Sequence, residues 1–500
     1  MDWSVDHFAE HRNNKVGRYA VTTKNLEAGD VILQESPFVV GPLKDSEFVC
    51  LACYKPLENP IALCKTCGWP ICSEECSKNL WHKEFECSVF TNCRMKYRIE
   101  HIPGPQLECI TPLRFLMCID RNRKRWATEV CAMEDHNTLR RFDEKAWEAE
   151  GNNIVWFLRD RCRLSDRFTE EMIRKVCGIL DVNAFQVPVT NGVVRAIYPK
   201  TAILSHNCVA NTQHSIPPDS LILTLRTTTY VSQSDELFTS YASCLLPTPL
   251  RREHLRKSKY FECTCDRCED ASELESHMNS LHCISCDKGS LLPVEPIHDF
   301  KTTWKCHFCG KKMLGNEVAI LYEKISKEIE EMENIKSSDE KLKAAEQILK
   351  SYRMILHPNH AFNIQVYHTL SQLYGRAKGY TLDMLPDTLL ERKILCCQKV
   401  LECLSIVGPG QTRLRGATTY ELQLALRLTN KTKHEYKELN DKEYEQETER
   451  VITMLEECII ILGREHHTTN EAKLAKMADK SLDYLIKRPD LSTVVQSEVI

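Results

Sequence analysis

At 500 residues, with 42% hydrophobic and 27% charged side chains, the chain has the composition of a soluble protein of more than two domains. A formal net charge of -4 argues against wholesale nucleic-acid binding. No apolar run approaches the ~18 residues of a membrane span, and Met1-Asp2-Trp3-Ser4-Val5-Asp6 lacks the basic-then-apolar signal-peptide pattern, so an intracellular, soluble protein is expected.

Residues 15–40 read as paired strands: Lys15 to Thr22, a turn at Glu27-Ala28-Gly29-Asp30, then Val31-Ile32-Leu33. Gly17 reads either as a turn glycine or as a point where backbone approaches a ligand closely. The 26 cysteines then take over the argument. Random placement at this frequency gives roughly one C-x-x-C pair, yet five occur: Cys50/Cys53, Cys64/Cys67, Cys265/Cys268, Cys283/Cys286 and Cys306/Cys309. In a reducing compartment, metal binding is the better reading than disulfides. The first group holds eight soft ligands in under forty residues, enough for two tetrahedral zinc sites. Their order predicts interleaving, with Cys50, Cys53, Cys72 and Cys76 on one ion and Cys64, Cys67, His82 and Cys87 on the other. So small a segment cannot bury a sufficient core, and metal binding would supply folding energy on the order of 10 kcal/mol per site.

Residues 107–185 read as helical, with apolar periodicity beginning at Pro112 and again across residues 169–180. The basic run at residues 121–125 reads as a solvated face, or as a localisation or phosphate-binding patch. Cys109, Cys118, Cys131, Cys162 and Cys177 lack ligand spacing and read as core thiols. The centre of the chain is Ser205-His206-Asn207-Cys208-Val209-Ala210-Asn211, followed by a strand-like run at residues 221–225 and by Asp235-Glu236-Leu237-Phe238-Thr239-Ser240-Tyr241. It closes on Phe261-Glu262-Cys263-Thr264-Cys265-Asp266-Arg267-Cys268. Cys208 with Cys263, Cys265 and Cys268 makes a complete four-thiolate set that would draw two distant segments together. Cys283, Cys286, Cys306 and Cys309 form a second, ribbon-like set, bringing the expected total to four zinc ions.

From Val318 onward the pattern is helical almost throughout. Leu342, Ala345, Ile348, Leu349 and Tyr352 make one apolar face; Val366, Leu370, Leu373 and Tyr374 the next; Leu395, Val400, Leu401 and Leu404 a third; Val451, Met454, Leu455, Cys458 and Ile459 a later one. Such a succession suggests a tetratricopeptide-like stack, although no strict repeat consensus is present. The acidic run at residues 435–450 reads as a solvated helix.

Taken together, these motifs and their order resemble the SET and MYND domain family of protein-lysine methyltransferases over nearly the whole chain. The family signatures are N-H-S-C-x-P-N, then G-E-E-hydrophobic-x-x-x-Y, then C-x-C-x-x-C. The additional zinc ribbon is similar to an extension found in the insect-type branch. The resemblance implies an α+β fold: a split, β-rich SET domain with an inserted MYND finger and helical insert, post-SET zinc sites and an all-α tetratricopeptide-like C-terminal domain. The corresponding boundaries are 1–48 for the N-terminal SET portion, 49–90 for the finger and 91–182 for the helical insert. Core SET then covers 183–245, the post-SET site and ribbon 246–315, and the helical domain 316–500.

The same resemblance implies methyl transfer from S-adenosylmethionine to a lysine of a histone or other protein, with roles in transcriptional regulation and a cytoplasmic or nuclear location. Tyr241 matches the family tyrosine that orients amine and methyl group. Lys15, Gly17, Ser205, His206, Tyr241 and Phe261 fall where the cofactor is held, and the finger is of a kind that takes proline-rich peptides or serves as architecture. Five departures from the family pattern stand out: Ser205 for Asn, Ala210 for Pro, Ser234 for Gly, Lys259 for a second tyrosine, and Lys15-Val16 ahead of Gly17 where a further glycine and a small polar residue are common. They keep open an alternative reading, a weakly active or inactive zinc-stabilised adaptor that recruits partners through its finger and helical domain.

Overall fold

The computed structural model describes residues 6–14, 16–46, 48–58, 61–94, 96 and 105–487. Its β-structure is assembled from two separated stretches of chain. One four-stranded sheet runs Phe8–Asn13, Gly17–Thr22, Glu236–Thr239, Ser205–His206, antiparallel except for the last pair. A three-stranded antiparallel sheet runs Val31–Glu35, Leu223–Thr227, Thr212–Ser215. Another runs Val39–Pro42, Gly192–Ile197, Phe185–Val189. The segments before the finger thus pair with segments about two hundred residues later, around a core of Ala20, Ile32, Leu33, Val194, Tyr198, Leu225 and Leu237.

One expectation is corrected. The strand Gly17–Thr22 does not pair with Val31–Glu35; its partners are Phe8–Asn13 and Glu236–Thr239, while Val31–Glu35 pairs with Leu223–Thr227. Alternating apolar residues specify a strand but not its neighbour, and here the neighbours are non-local.

The finger shares its core with the helices that follow. Trp69 stacks on Phe90 with ring centroids 3.9 Å apart, and both are fully buried. The same apolar cluster takes in Ile110, Leu113, Phe115 and Leu116 of the helix Ile110–Arg121 and Ile173, Val176 and Ile179 of the helix Glu170–Asn183. Cys109, Cys118, Cys162 and Cys177 lie buried in this core as expected. Cys131 does not; it is half-buried at the end of a π-helical turn, Trp126–Val130, its thiol donating to the Ala127 carbonyl.

The C-terminal region contains seven helices among the described residues: Gly315–Glu333, Ser338–Tyr352, Ala361–Leu373, Asp387–Val407, Arg413–Glu435, Asp441–Leu462 and Asn470–Lys487. Each packs chiefly on its sequence neighbours, which is the repeat-stack arrangement. Leu395, expected on an apolar face, points outward, and Cys396 and Cys397 fill the core instead. The first two helices share a core with the zinc ribbon, where Trp304 and Tyr322 are buried together. The stack also bonds to the loops that follow the strands Leu223–Thr227 and Glu236–Thr239. Gln411 N donates to the Thr228 carbonyl at 2.7 Å, and Gln365 Nε2 to the Leu245 carbonyl at 2.8 Å. Gly410, at φ +80°, leaves no room for a side chain, because a Cβ there would lie 2.0 Å from the Thr228 oxygen.

Candidate metal centres and active site

Four donor sets come together as the spacing predicts: Cys50/Cys53/Cys72/Cys76, Cys64/Cys67/His82/Cys87, Cys208/Cys263/Cys265/Cys268 and Cys283/Cys286/Cys306/Cys309. Within each set the donor atoms lie within 4.8 Å of one another. Tetrahedral zinc with Zn–S of about 2.3 Å requires sulfurs roughly 3.8 Å apart. Observed separations are 3.5 Å for Cys53–Cys72 and Cys72–Cys76, 3.9 and 3.5 Å from Cys208 to Cys263 and Cys268, 3.6 Å for Cys283–Cys309 and 3.8 Å for Cys286–Cys306. Donor chemistry and spacing fit four zinc ions.

Supports around these sets were not legible in the spacing. His82 turns Nε2 toward Cys67 at 3.7 Å, and its Nδ1 lies 3.0 Å from Glu86 Oε1. Arg114 grips Glu86 with two bonds of 2.9 and 2.6 Å and donates to the Leu51 and Val40 carbonyls and to Tyr54 Oη. Burial pushes the Glu86 carboxyl up, but the Arg114 charge and the bonds from Arg114 and His82 outweigh it and hold the group below the usual carboxylate range. The ionised carboxylate fixes the orientation of the His82 ring, as carboxylates commonly do behind zinc-bound histidines, and Arg114 carries that support through to the sheet strand Val39–Pro42.

At the Cys208 set, Arg251 Nε donates to Cys208 Sγ at 3.3 Å and its Nη2 approaches Cys268 Sγ at 3.6 Å. Arg251 and Glu273, both fully buried, pair at 2.7 Å, and Arg267 joins the same carboxylate at 2.8 Å. A four-thiolate zinc centre carries net negative charge, and Arg251 is placed to offset it. Arg267 had a signal, sitting inside C-x-C-x-x-C itself; Arg251 and Glu273 had none.

This metal set is tied to Tyr241 through one imidazole. The Tyr241 backbone N–H donates to His206 Nδ1 at 3.0 Å, so the ring proton sits on Nε2, which faces Cys208 Sγ at 3.3 Å. The Tyr241 hydroxyl donates to the Leu204 carbonyl at 2.5 Å, and burial pushes it up to about 12. His206, Tyr241 and Phe261 form an aromatic cluster, with centroids 5.2, 5.8 and 6.4 Å apart. Gly17 lies at φ +75° with nothing within 4 Å of where a Cβ would be, on the strand that borders Glu236–Thr239. Ser205 Oγ is buried without a hydrogen-bond partner. Lys15 lies outside the described residues.

The other departures take definite form. Ser234 adopts φ +74°, a conformation that favours glycine. The turn containing Ala210 is held by its asparagines: Asn207 Oδ1 accepts from Val209 N, and Asn211 both accepts from Phe238 N and donates to the Glu236 carbonyl. Tyr260 turns away from the cluster and rests its ring 5.5 Å from that of His136. Lys259 turns inward, its ammonium 5.5 Å from the centroid of the Tyr241 ring.

The chain is 27% identical over 305 residues to the SET domain-containing protein SmydA-8, isoform A, of Drosophila melanogaster, covering 59% of this chain and 63% of that one. It is 26% identical over 275 residues to the human histone-lysine N-methyltransferase SMYD1, covering 51% and 54%. The chain is similar to SET domain proteins and lysine methyltransferases of the SMYD group. A more distant relative, the histone-lysine N-methyltransferase ASHR1 of Arabidopsis thaliana, aligns at 21% identity over 428 residues, 81% of this chain and 83% of that one. The chain spans less than two thirds of the length of the Drosophila relative it matches. No family model matches it. Among solved structures, the SET domain of LSMT bound to lysine and AdoHcy aligns with 97% of this chain and 89% of that chain, at 11% identity and a TM-score of 0.27.

Proposed function

We propose that this chain is an S-adenosylmethionine-dependent protein-lysine N-methyltransferase. The observation that carries the reading is the locked geometry of Tyr241: backbone on His206, hydroxyl on the Leu204 carbonyl, ring beside Phe261, with His206 in turn on the Cys208 thiolate. The unpartnered Ser205 hydroxyl and the open space at Gly17 fit a polar cofactor, and Gly17, Ser205, His206 and Phe261 would hold it. Bound there, S-adenosylmethionine supplies a methyl group on a positively charged sulfur.

The chain's own groups do the rest. The Leu204 carbonyl and the Tyr241 oxygen offer electronegative atoms to a partly positive methyl group, preset by folding. The aromatic cluster excludes water and favours the neutral form of an entering lysine amine. Residues that would hold the cofactor and the amine in a fixed relation would contribute most of the rate through alignment. Histones or other proteins with an accessible lysine are the substrates, in the cytoplasm or nucleus. The finger, whose Leu80 is two-thirds exposed, is the site for proline-rich partners.

Calorimetric titration of S-adenosylmethionine into wild type and Tyr241→Phe, with methylation of a core-histone mixture, tests the reading. The expected result is saturable binding of similar affinity in both proteins and a fall of at least tenfold in turnover for the variant. The hydroxyl acts in the aligned transition state rather than in cofactor binding. Absence of saturable binding at millimolar cofactor would leave the adaptor reading in its place.

A further inference from the structure

Lys259 is the last residue of the helix Thr248–Lys259, and Tyr260, at φ +59°, reverses the chain immediately after it. Other basic residues of that last turn find carboxylates. Arg256 pairs with Glu262 and Asp299, and Lys257 reaches Glu253 at 2.6 Å. Lys259 does not. Its Nζ donates to the Val182 carbonyl at 2.5 Å and lies beside the Tyr241 ring, and no ion pair is made to it among the described residues. Burial pushes its amine below its ordinary range. A primary amine with one carbonyl for company, desolvated and beside an aromatic cluster, has the features of a nucleophile.

We propose that Lys259 is a methyl acceptor for its own chain: the amine held between the Val182 carbonyl and Tyr241 takes a methyl group from S-adenosylmethionine. The inference rests on the methyltransferase reading above and extends it to a residue of this chain. The neutral amine forms the N–C bond with its lone pair as the C–S bond breaks. That bond's electron pair stays on sulfur, leaving S-adenosylhomocysteine, and the proton lost by the amine passes to water. No movement is needed to bring Lys259 to Tyr241, so modification proceeds within one molecule.

The experiment incubates the full chain with S-adenosylmethionine and reads the Lys259 peptide by mass spectrometry, with cofactor binding measured by calorimetry on the same preparation. The expected result is one or more methyl groups on Lys259, at a first-order rate unchanged over a tenfold range of protein concentration, and at least a tenfold loss in Tyr241→Phe. Lys259→Met, measured without cofactor, should melt at or above the wild-type temperature, because an unpaired, desolvated ammonium is removed from a site that accepts its stem. Saturable cofactor binding and histone methylation with an unmodified Lys259 would overturn this inference and leave the methyltransferase reading standing. No cofactor binding would overturn both. A fall of several degrees in Lys259→Met would make the amine a structural tether to Val182, against the proposal.

Discussion

Replacing Cys208 by Ser probes the connection between metal and tyrosine most directly. The Cys208 side chain is 1% exposed and serves three partners besides the ion: Arg251 Nε and His206 Nε2, each at 3.3 Å, and the thiolates of its set. Serine at neutral pH is a poor zinc ligand, and its oxygen lies closer to the backbone than the sulfur did. Two charge-assisted bonds are therefore weakened together, each worth roughly 1.5–3 kcal/mol, before any loss of metal. Taking about 3 kcal/mol as the lower bound, and 2–4 °C per kcal/mol for a unit of 150–250 residues, the melting temperature should fall by roughly 6–12 °C. Zinc at this site should become accessible to a chromogenic chelator while the other three ions stay bound. The readouts are calorimetric melting and chelator-detected zinc release. A variant that retains all four ions and melts within a degree of wild type would refute the assignment of Cys208 to Cys263, Cys265 and Cys268, together with the tether through His206.

Elemental analysis of protein purified without chelator should find four zinc ions per chain, one for each donor set; two or fewer would contradict the assignment. Ser234→Gly should stabilise the turn that precedes Glu236–Thr239 by about 1 kcal/mol, since serine is held at φ +74°, and a lower denaturant midpoint would count against this. Burial pushes His214 down to about 4 and His360 to about 3, from an ordinary value of 6.5. The unfolded chain therefore takes up protons first, so stability is fully present above pH 6.5 and declines toward pH 4; His214→Asn should flatten that slope in denaturant titrations, and an unchanged slope would remove His214 as a cause.

Much of the candidate site could be read directly because it is written in short-range chemistry. Four soft ligands at zinc spacing have few other uses, so each metal set was legible down to its interleaving. Sheet pairing was not. Gly17–Thr22 shows the same alternation whether its neighbour is Val31–Glu35 or Glu236–Thr239, and only the closed fold selects the latter. Arg114 and Arg251 were hidden for a related reason. On an amphipathic helix an arginine reads as surface, yet both are fully buried against groups contributed by distant segments. Lys259 was legible as a departure from the tyrosine expected there, but its inward turn depends on the helix Glu170–Asn183 offering the Val182 carbonyl.

The buried arginines also link the Cys208 set to the segments packed around it. Arg251 touches two thiolates of the Cys208 set and shares Glu273 with Arg267, which in turn reaches Met278 Sδ at 3.4 Å. Beside Met278, the Ala361 backbone N–H at the start of the helix Ala361–Leu373 donates to the Met278 carbonyl at 2.9 Å. On the other side, Cys208 reaches Tyr241 through His206. One metal centre therefore lies between the aromatic cluster and the helical stack, connected to each by buried polar contacts. Removing the ion leaves Arg251 and Glu273 paired but strips Cys208 and His206 of a fixed position. Tyr241 should then lose its alignment while the stack keeps its fold, because Trp304, Tyr322 and their neighbours form a separate apolar core. Loss of this zinc should thus loosen Tyr241 and the segments around Cys208 while the core of the stack stays packed.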